Sequence, residues 1–379
     1  MSGKPSLLEQ WWRQASDDLG PAKVVLVRDA AAGLEGFVVV DNVACGPAIG
    51  GIRMATDVTV DEVARLARAM TFKNAAAGLA HGGGKAGIVA DPAMDAAAKE
   101  RLVRAFGRAI RDLAEYIPGP DMGVDEACMA YLHDEIGRAV GLPRVLGGIP
   151  LDSIGATGFG VAVCAEVAQE FAGIALQGAR VAVQGFGAVG THAARFLAER
   201  GARLVAASDH RGAVIGADGL DVEALIAWKR AGRSVSEFPG GRRLEREDLV
   251  GVDCDIWVPA ARPDVLRADN VGRLRARLVL QGANIPATDE AEAEMQRRGI
   301  VSVPDFIANA GGVICAAVEY HGGTEQQAFA VIAEKVRANT RAVLEAARRG
   351  GELPRAAAVT LARARVIEAM RYRRGERGG

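Results

Sequence analysis

The first part of the chain combines short apolar runs with a segment of helical periodicity. Residues 24–40 hold two apolar runs around a glycine-containing turn, a pattern that predicts a β-hairpin. Over residues 58–79, apolar side chains recur at helical spacing, with Asp61 as the expected N-cap and Gly78 near the end. The pattern therefore predicts strands followed by an amphipathic helix.

The next segment continues this mixed pattern. A further helix is expected around residues 93–115, and the prolines and glycines of residues 116–123 predict a loop. We expect these elements to form a mixed α/β domain over residues 1–150.

A different pattern begins near residue 151. Residues 180–209 predict a strand, a tight glycine turn, a helix and a second strand. Their apolar runs are continuous, as in a parallel sheet that is buried on both faces. Three more such runs predict further strands, in the segments DCDIWVPAA, ARLVLQGAN and GIVSVPD. These elements predict a doubly wound Rossmann domain that binds a dinucleotide, over residues 151–339.

The C-terminal part of the sequence has helical periodicity. Two amphipathic segments, EQQAFAVIAEKVRANTRAVLEAARRG and AAAVTLARARVIEAMRYRR, predict long helices. We expect the helices of residues 340–379 to pack back on the first domain. The fold class is therefore α/β, with an N-terminal mixed α/β domain for substrate binding and oligomerisation, and a Rossmann domain.

The composition gives no sign of a nucleic-acid or membrane partner. Of the 379 residues, 50% are hydrophobic and 25% are charged, and the formal net charge is −1. No apolar run reaches the ~20 residues needed to span a bilayer. The start of the chain lacks the pattern of a signal peptide, so we expect a cytoplasmic protein. The five cysteines are scattered without a CxxC pair, and we expect no metal site.

The segment GFGAVG has the pattern of a dinucleotide fingerprint. Its glycines are Gly185, Gly187 and Gly190, and Ala188 and Val189 lie between the last two. It joins a predicted strand to a predicted helix, which is the context that the fingerprint requires. The glycines permit a tight turn and the approach of a pyrophosphate to the helix N-terminus. Outside that context, the same glycines would indicate only a turn.

Asp209 ends the strand after this helix, about twenty residues beyond the glycines. A carboxylate there accepts hydrogen bonds from both ribose hydroxyls of NAD and repels the 2′-phosphate of NADP. We therefore expect NAD as the cofactor. NADP stays an alternative, because Arg211 offers a positive charge two residues later.

Three glycines precede Lys85 in the segment AAAGLAHGGGKAGI. A Walker phosphate loop needs serine or threonine after its lysine, and Ala86 follows here. No strand clearly precedes the glycines, and a dinucleotide site is already predicted elsewhere. We expect the glycines to let substrate and nicotinamide approach the backbone. A lysine in such a cleft is partly desolvated, which lowers its pKa and suits it to act as an acid or base on a carbonyl or imine.

Seven segments carry a family resemblance through their identity and order. They are GPAIGGIRM, MTFKNAAAGLAHGGGKAGI, PDMGVDE, ATGFG, VQGFGAVG, QGAN and VPDFIANAGGV. Together, over residues 35–320, they resemble the amino-acid dehydrogenases that act on glutamate, leucine, phenylalanine and valine.

The resemblance implies a role for each of three charged residues. Lys73 resembles the lysine that binds the substrate α-carboxylate. Lys85 is similar to the catalytic lysine that polarises the keto oxygen and assists attack of water or ammonia at C2. Asp121 resembles the carboxylate that carries protons to and from the amine. Taken singly, Lys73 and Asp121 are equally compatible with a structural ion pair.

The resemblance also implies contacts with the two ligands. Thr157, Asn284 and Asn309 match positions near the nicotinamide, and Gly50 and Gly51 match positions beside the substrate.

The positions that resemble the side-chain end of the substrate site are apolar here. Glutamate-specific members have a lysine at the position of Ile49 and a serine at that of Ala316, and both bind the side-chain carboxylate. Their glutamine is replaced by Met70. Burial of an unpaired carboxylate costs several kcal/mol, so we expect an apolar L-amino acid, as in leucine- and phenylalanine-type members. Arg53 is the first alternative partner for a substrate carboxylate.

The expected function is NAD-dependent, reversible oxidative deamination of an apolar L-amino acid to its 2-keto acid and ammonia, by a homo-oligomer. Glutamate dehydrogenase is the first alternative, because residues 147–160 are closer to that branch. Two others are a nicotinamide enzyme that does not use ammonia and a catalytically silent NAD-binding regulatory homologue. The presence of Lys73, Lys85 and Asp121 argues against both.

Overall fold

The computed structural model describes Trp12 and residues 15–373, and the chain divides into two compact units. The segments of the first unit are Met1–Pro150, Ala316–Thr324 and Ala362–Gly379, and those of the second are Leu151–Cys315 and Glu325–Leu361. Residues 340–361 therefore group with the second unit, whereas the sequence led us to expect them with the first. In the part of the chain that is described, no helix is both long and apolar enough to cross a membrane.

The first unit is built on a mixed sheet. Among the described residues its five strands are β1 (Lys23–Asp29), β2 (Leu34–Asn42), β3 (Ala48–Ala55), β4 (Gly82–Val89) and β5 (Tyr116–Gly119). Their order across the sheet is β1-β2-β4-β3-β5. β1 and β2 form the predicted antiparallel hairpin, and β3 runs parallel to both β4 and β5. Val38, Ile52, Ile88 and Phe106 belong to its buried core.

Residues 116–123, which we predicted to be a loop, begin with β5. This strand pairs with β3 and contains Pro118. Proline has no N–H to donate, but β5 is an edge strand, where one side of the backbone needs no partner strand.

The first unit contains the two helices that the hydrophobic pattern predicted, α1 (Val60–Ala76) and α2 (Ala96–Ala109), and a third that was not predicted, α3 (Glu126–Ile136). The N-cap of α1 is Thr59, whose hydroxyl accepts a hydrogen bond from the Glu62 amide at 3.2 Å. Asp61, the expected N-cap, lies in the first turn instead, where its negative charge faces the positive end of the helix dipole.

The second unit contains the predicted parallel sheet. Its seven strands among the described residues are β6 (Arg180–Gln184), β7 (Arg203–Asp209), β8 (Gly212–Ile215), β9 (Arg242–Leu244), β10 (Ile256–Pro259), β11 (Leu278–Leu280) and β12 (Val301–Val303). Their order is β12-β11-β10-β6-β7-β8-β9, and the first five are parallel. The chain leaves β6 toward β7 on one side and later adds β10 on the other. This reversal creates the crevice in which doubly wound sheets bind ligands.

The helices after residue 150 are α4 (Leu151–Ile154), α5 (Ala156–Ala172), α6 (Ala188–Glu199), α7 (Val222–Arg230), α8 (Asp289–Arg297), α9 (Asp305–Ala308), α10 (Gly311–Tyr320), α11 (Glu325–Gly350) and α12 (Pro354–Tyr372). α11 packs on α5, where the Thr340 hydroxyl lies 3.4 Å from Cys164 Sγ and Arg337 pairs with Glu166. These contacts place the start of the 340–361 segment in the second unit. The end of α12 belongs to the first unit, where Arg365 donates to the Ala75 and Ala76 carbonyls at the end of α1.

Candidate active site

Lys85 lies in the middle of β4, and the glycines before it belong to the same strand. A Cβ on Gly83 would lie 2.0 Å from the Thr71 backbone nitrogen in α1. A Cβ on Gly50 in β3 would lie 1.6 Å from the Gly84 carbonyl oxygen. The glycines therefore let α1 and β3 approach β4 closely, which any side chain would prevent. The sequence showed no clear strand before these glycines, and the structure places the glycines and Lys85 within one strand. Glycine is required here by tight packing against neighbours that are distant in sequence.

Lys85 and Asp121 form an ion pair. The Lys85 side chain is only 8% exposed, and its Nζ lies 3.0 Å from Asp121 Oδ2. A Cβ on Gly51 would lie 2.8 Å from Asp121 Cβ and 3.2 Å from Lys85 Nζ, so glycine leaves the space that the pair occupies. The structure thus brings together the two residues that we expected to move protons.

Arg53 extends this pair into a network. Its Nε donates to Asp121 Oδ2 at 3.0 Å, and its Nη1 donates to Glu62 Oε1 at 2.5 Å. From the sequence, Arg53 was expected only as an alternative substrate ligand, and no sequence pattern indicated Glu62. Strand alternation offered one signal, because Arg53 lies two residues after Gly51 and so on the same face of β3. No spacing in the sequence links Arg53 to the first turn of α1.

Burial and charge act in opposite senses on the two proton carriers. Burial lowers the pKa of Lys85 below that of an ordinary lysine, although Asp121 opposes the shift. Burial alone would raise the pKa of Asp121, but the charges of Lys85 and Arg53 outweigh burial and lower it. Lys85 therefore loses its proton at a lower pH than an ordinary lysine, and Asp121 stays ionised to a lower pH than an ordinary aspartate.

α1 carries two more of the predicted substrate residues. Lys73 and Met70 are half-buried on this helix, beside the strand that holds Lys85. Asn74 is fully buried, and its Nδ2 donates to the Gly82 carbonyl at 2.7 Å. This bond fixes the end of α1 over the start of β4, and with it the backbone that carries Lys73.

Ile49 and Ala316, two of the apolar residues predicted to contact the substrate side chain, are both buried. Ile49 is 4% exposed and Ala316 is 7% exposed. Ile49 lies on the same face of β3 as Gly51, by strand alternation. Ala316 lies one helical turn before Tyr320, whose ring meets His81 edge-on with centroids 5.7 Å apart. His81 directly precedes β4, so α10 ends beside the strand that carries Lys85.

In the second unit, the glycine turn has the form of a dinucleotide loop. Gly185 has a φ of +96°, and a Cβ on Gly190 would lie 1.9 Å from the Gly185 carbonyl oxygen, so the turn requires glycine at both positions. A Cβ on Gly187 would meet nothing within 4 Å, and no side chain of the described chain caps the N-terminus of α6. The open space and the uncapped first turn, which begins with Ala188 and Val189, fit a pyrophosphate.

Asp209 ends β7, beside this turn, and its carboxylate is already fully engaged. Oδ1 accepts from the Arg211 amide and from Ser234 Oγ, both at 2.9 Å. Oδ2 accepts from Lys229 Nζ at 2.6 Å and from the Val235 amide at 3.1 Å. Burial alone would raise the pKa of Asp209, but these donors lower it to about 2. No sequence pattern indicated Lys229 and Ser234, because they come from a separate helix and from the turn that follows it.

Two of the residues predicted near the nicotinamide contact each other. Asn309 Nδ2 donates to Asn284 Oδ1 at 3.0 Å. Asn309 is 4% exposed, and its Oδ1 has no hydrogen-bond partner among the described residues. A buried acceptor of this kind fits an amide N–H such as that of a nicotinamide carboxamide. Thr157 is in the first turn of α5, and its Oγ1 lies 3.0 Å from where a Cβ on Gly312 would be.

Arg355 anchors the loop after β11, a role that no motif indicated. Its Nε donates to Glu292 at 2.9 Å, and its two Nη atoms donate to Asp305 and Gln281 at 2.8 Å each. The second Asp305 oxygen accepts from the Ile285 amide at 2.9 Å, where the backbone has a φ of +47°. The loop that carries the predicted nicotinamide amides is thus fixed by a buried charge network.

Known sequences match both units of the chain. Residues 147–374 match the family model described as Glutamate/Leucine/Phenylalanine/Valine dehydrogenase, and residues 21–138 match Glu/Leu/Phe/Val dehydrogenase, dimerisation domain. A glutamate dehydrogenase of Thermotoga maritima is 43% identical over 302 residues, which cover 75% of this chain and 72% of the relative. An NADP-specific glutamate dehydrogenase of Saccharolobus shibatae is 37% identical over 354 residues, 88% and 83% of the two chains.

Solved structures show the same fold. A hetero-hexameric glutamate dehydrogenase from Thermus thermophilus in a leucine-bound form has a TM-score of 0.82 at 31% identity, covering 97% of this chain and 96% of that chain. An L-tryptophan dehydrogenase from Nostoc punctiforme has a TM-score of 0.76 at 26% identity, covering 96% and 100%.

Proposed function

The chain belongs to the glutamate/leucine/phenylalanine/valine dehydrogenase family and is an amino-acid dehydrogenase that uses NAD or NADP, and we propose that its substrate is an apolar L-amino acid. The reaction is reversible oxidative deamination, which yields the 2-keto acid and ammonia. The observation that carries the substrate class is the buried, uncharged Ile49, two residues before the glycine that makes room for Lys85 and Asp121.

Lys85 and Asp121 carry the proton transfers that deamination needs. When bound, NAD(P) accepts the hydride from C2 of the amino acid. Neutral Lys85 then takes a proton from the water that adds to C2 of the resulting imine. Asp121, once protonated, gives its proton to the departing nitrogen, which leaves as ammonia. Their 3.0 Å separation lets the proton that Lys85 takes from water pass on to Asp121. Neutral Lys85 then accepts the proton that the C2 hydroxyl loses as the carbonyl forms and releases it to solvent, which returns the site to its starting state.

Lys73 supplies the anchor for the substrate α-carboxylate. Its half-buried position on α1 suits a lysine that pairs with a ligand anion, because partial burial strengthens the charge interaction. The hydrogen bond from Asn74 to the Gly82 carbonyl holds this part of α1 against the start of β4, the strand that carries Lys85.

Apolar side chains at positions 49, 70 and 316 favour an apolar substrate. A carboxylate placed against Ile49 and Ala316 would lose its hydration without gaining a cation there. Arg53, the expected alternative partner, is engaged by Asp121 and Glu62, and these two carboxylates more than balance its single charge.

Glutamate is the second candidate substrate. It is favoured by the names of four relatives, 37–43% identical to this chain, which are glutamate dehydrogenases. For this candidate, Arg53 would have to leave one of its carboxylates to bind the substrate side chain.

Oxidation of NADH or NADPH with 2-keto acids, with and without ammonium, tests the reaction class. We expect oxidation that depends on ammonium. Lys85→Ala should lower turnover by several orders of magnitude but leave NADH binding unchanged, because the nucleotide residues lie in the second unit. Oxidation that is independent of ammonium would contradict the proposal, as would a near-normal rate in the variant.

The protein also assembles, under this proposal, as a homo-oligomer. Residues 21–138 match a dimerisation domain, and a similar structure is a hetero-hexamer. The edge strand β1 presents Leu26, which is 70% exposed. Light scattering after size-exclusion chromatography should give several times the 39.5 kDa chain mass for the protein purified alone. A monomer would indicate that it needs a different partner chain.

A further inference from the structure

The ribose end of the dinucleotide site holds a pre-formed ion pair. Asp209 is buried, and its side chain is only 4% exposed, whereas Lys229 is 25% exposed. Four donors already occupy the two Asp209 oxygens, so each oxygen has its ordinary number of partners. A ribose hydroxyl can bond to this carboxylate only if a donor leaves.

Lys229 is the donor that can leave at least cost. The amides of Arg211 and Val235 belong to the backbone, and Ser234 Oγ lies on a short, fully buried side chain, so these three donors would continue to hold the carboxylate. Lys229 lies in the last turn of α7, and its ammonium sits on a flexible four-carbon stem. With Lys229 in place, its positive charge also offsets the repulsion that Asp209 alone would exert on a phosphate.

The other nearby cations are held away from Asp209. The Arg211 guanidinium donates to the Gly232 carbonyl at 3.0 Å, and Arg233 lies over the Trp228 ring at 4.3 Å. Arg211, which the sequence marked as the residue that could admit NADP, contacts Asp209 only through its backbone amide.

We propose that Lys229 determines coenzyme choice and gives this protein the capacity to bind both NAD and NADP. With NAD, the ammonium moves aside and the 2′-hydroxyl takes its place on Asp209. With NADP, the ammonium pairs with the 2′-phosphate while the other three donors keep Asp209 occupied. The inference rests on the NAD(P) dependence of the proposed function but not on its substrate.

Binding, not turnover, tests this assignment. Dissociation constants for NADH and NADPH would be measured by nucleotide fluorescence in the wild type, in Lys229→Met and in Lys335→Met. The last variant is the matched control, because it removes one lysine charge from α11 of the same unit. Lys229→Met should weaken NADPH about tenfold or more while NADH stays within about twofold, the size expected for loss of one charge-assisted contact. Asp209→Asn should strengthen NADPH binding, because it removes the opposing charge.

The measured affinities separate a specific role of Lys229 from a general effect of charge and from failure of the proposed function. NADPH affinity that is unchanged in Lys229→Met would overturn the proposal, as would a wild type that binds NADH but not NADPH. Equal weakening in the Lys335→Met control would show a general charge effect and also overturn it. If both nucleotides bind as expected but no 2-keto acid is reduced with ammonium, the proposed function fails and the assignment of Lys229 stands.

Discussion

Arg53 influences both groups that we assign to proton transfer. Its positive charge lowers the pKa of Asp121 and, in the same sense, that of Lys85. The neutral form of Lys85 is the base in deamination, so a lower pKa extends activity toward neutral pH. We therefore expect Arg53 to act as a positioning residue whose charge also shifts the protonation of its neighbours.

Arg53→Gln should move the pH profile of deamination to higher pH. In the wild type, kcat/KM should rise with pH with a midpoint below the 10.5 of an ordinary lysine, because burial lowers the pKa of Lys85. Removal of the Arg53 charge raises that pKa, so the midpoint should increase. Steady-state kinetics across pH would measure it, with Arg53→Lys as the control that keeps the charge. A midpoint that does not move in Arg53→Gln would show that Arg53 has no electrostatic role.

Ile49→Lys combined with Ala316→Ser should shift preference toward 2-oxoglutarate. The new ammonium gains a partner only when the substrate carries a side-chain carboxylate, and is otherwise buried and unpaired. The ratio of kcat/KM values should change by about tenfold or more, or ~1.4 kcal/mol. Ile49→Met with Ala316→Ser is the uncharged control and should keep the original preference. An unchanged ratio in the lysine variant would mean that position 49 does not face the substrate.

At the level of elements, close contact between β4 and α1 fixes the distance between Lys85 and Lys73. Gly83 is in contact with Thr71, and Thr71 Oγ1 donates to the buried Asp41 at 2.6 Å. The glycine-rich strand therefore has a positioning role that its composition does not suggest.

Gly83→Ala should force α1 away from β4. The added Cβ would lie 2.0 Å from a backbone nitrogen, which cannot turn aside as a flexible side chain can. We expect a loss of roughly 1–3 kcal/mol in unfolding free energy and a higher KM for the keto acid, because Lys73 moves with α1. Calorimetry and kinetics would measure these effects. Gly272→Ala, where a Cβ meets nothing within 4 Å, is the control. Wild-type stability and KM in Gly83→Ala would show that the packing is loose.

Elements were predictable from sequence where one local signal determined them. The hairpin of β1 and β2 and the strand–turn–helix around Gly185 are examples, because apolar periodicity and turn glycines act within a few residues. β4 and β5 were not predicted, because glycine and proline are disfavoured in strands. In this fold they are accommodated by packing against residues elsewhere in the chain.

For the whole molecule, the pattern of strands and helices gave the fold class, the glycine fingerprint gave the NAD or NADP requirement, and the family resemblance gave the enzyme class. The comparisons confirm all three. The roles of individual site residues stay predictions. The charge networks could not be predicted from the sequence, because the fold brings together residues whose spacing along the chain follows no pattern. The pairs are Arg53 with Glu62, Lys229 with Asp209 and Arg355 with Asp305. The NAD preference, for example, was inferred on the assumption that the Asp209 carboxylate has no partner. In the structure this carboxylate is paired with Lys229.

The central claim is that this amino-acid dehydrogenase acts on an apolar side chain. The most direct test is the ratio of kcat/KM for 2-oxoisocaproate to that for 2-oxoglutarate, measured on the wild-type protein with ammonium and the better-bound reduced coenzyme. We predict a ratio above about ten, since a carboxylate against Ile49 and Ala316 would be desolvated without a partner. A ratio below one would contradict the account and identify the protein as a glutamate dehydrogenase in which another cation replaces the missing lysine.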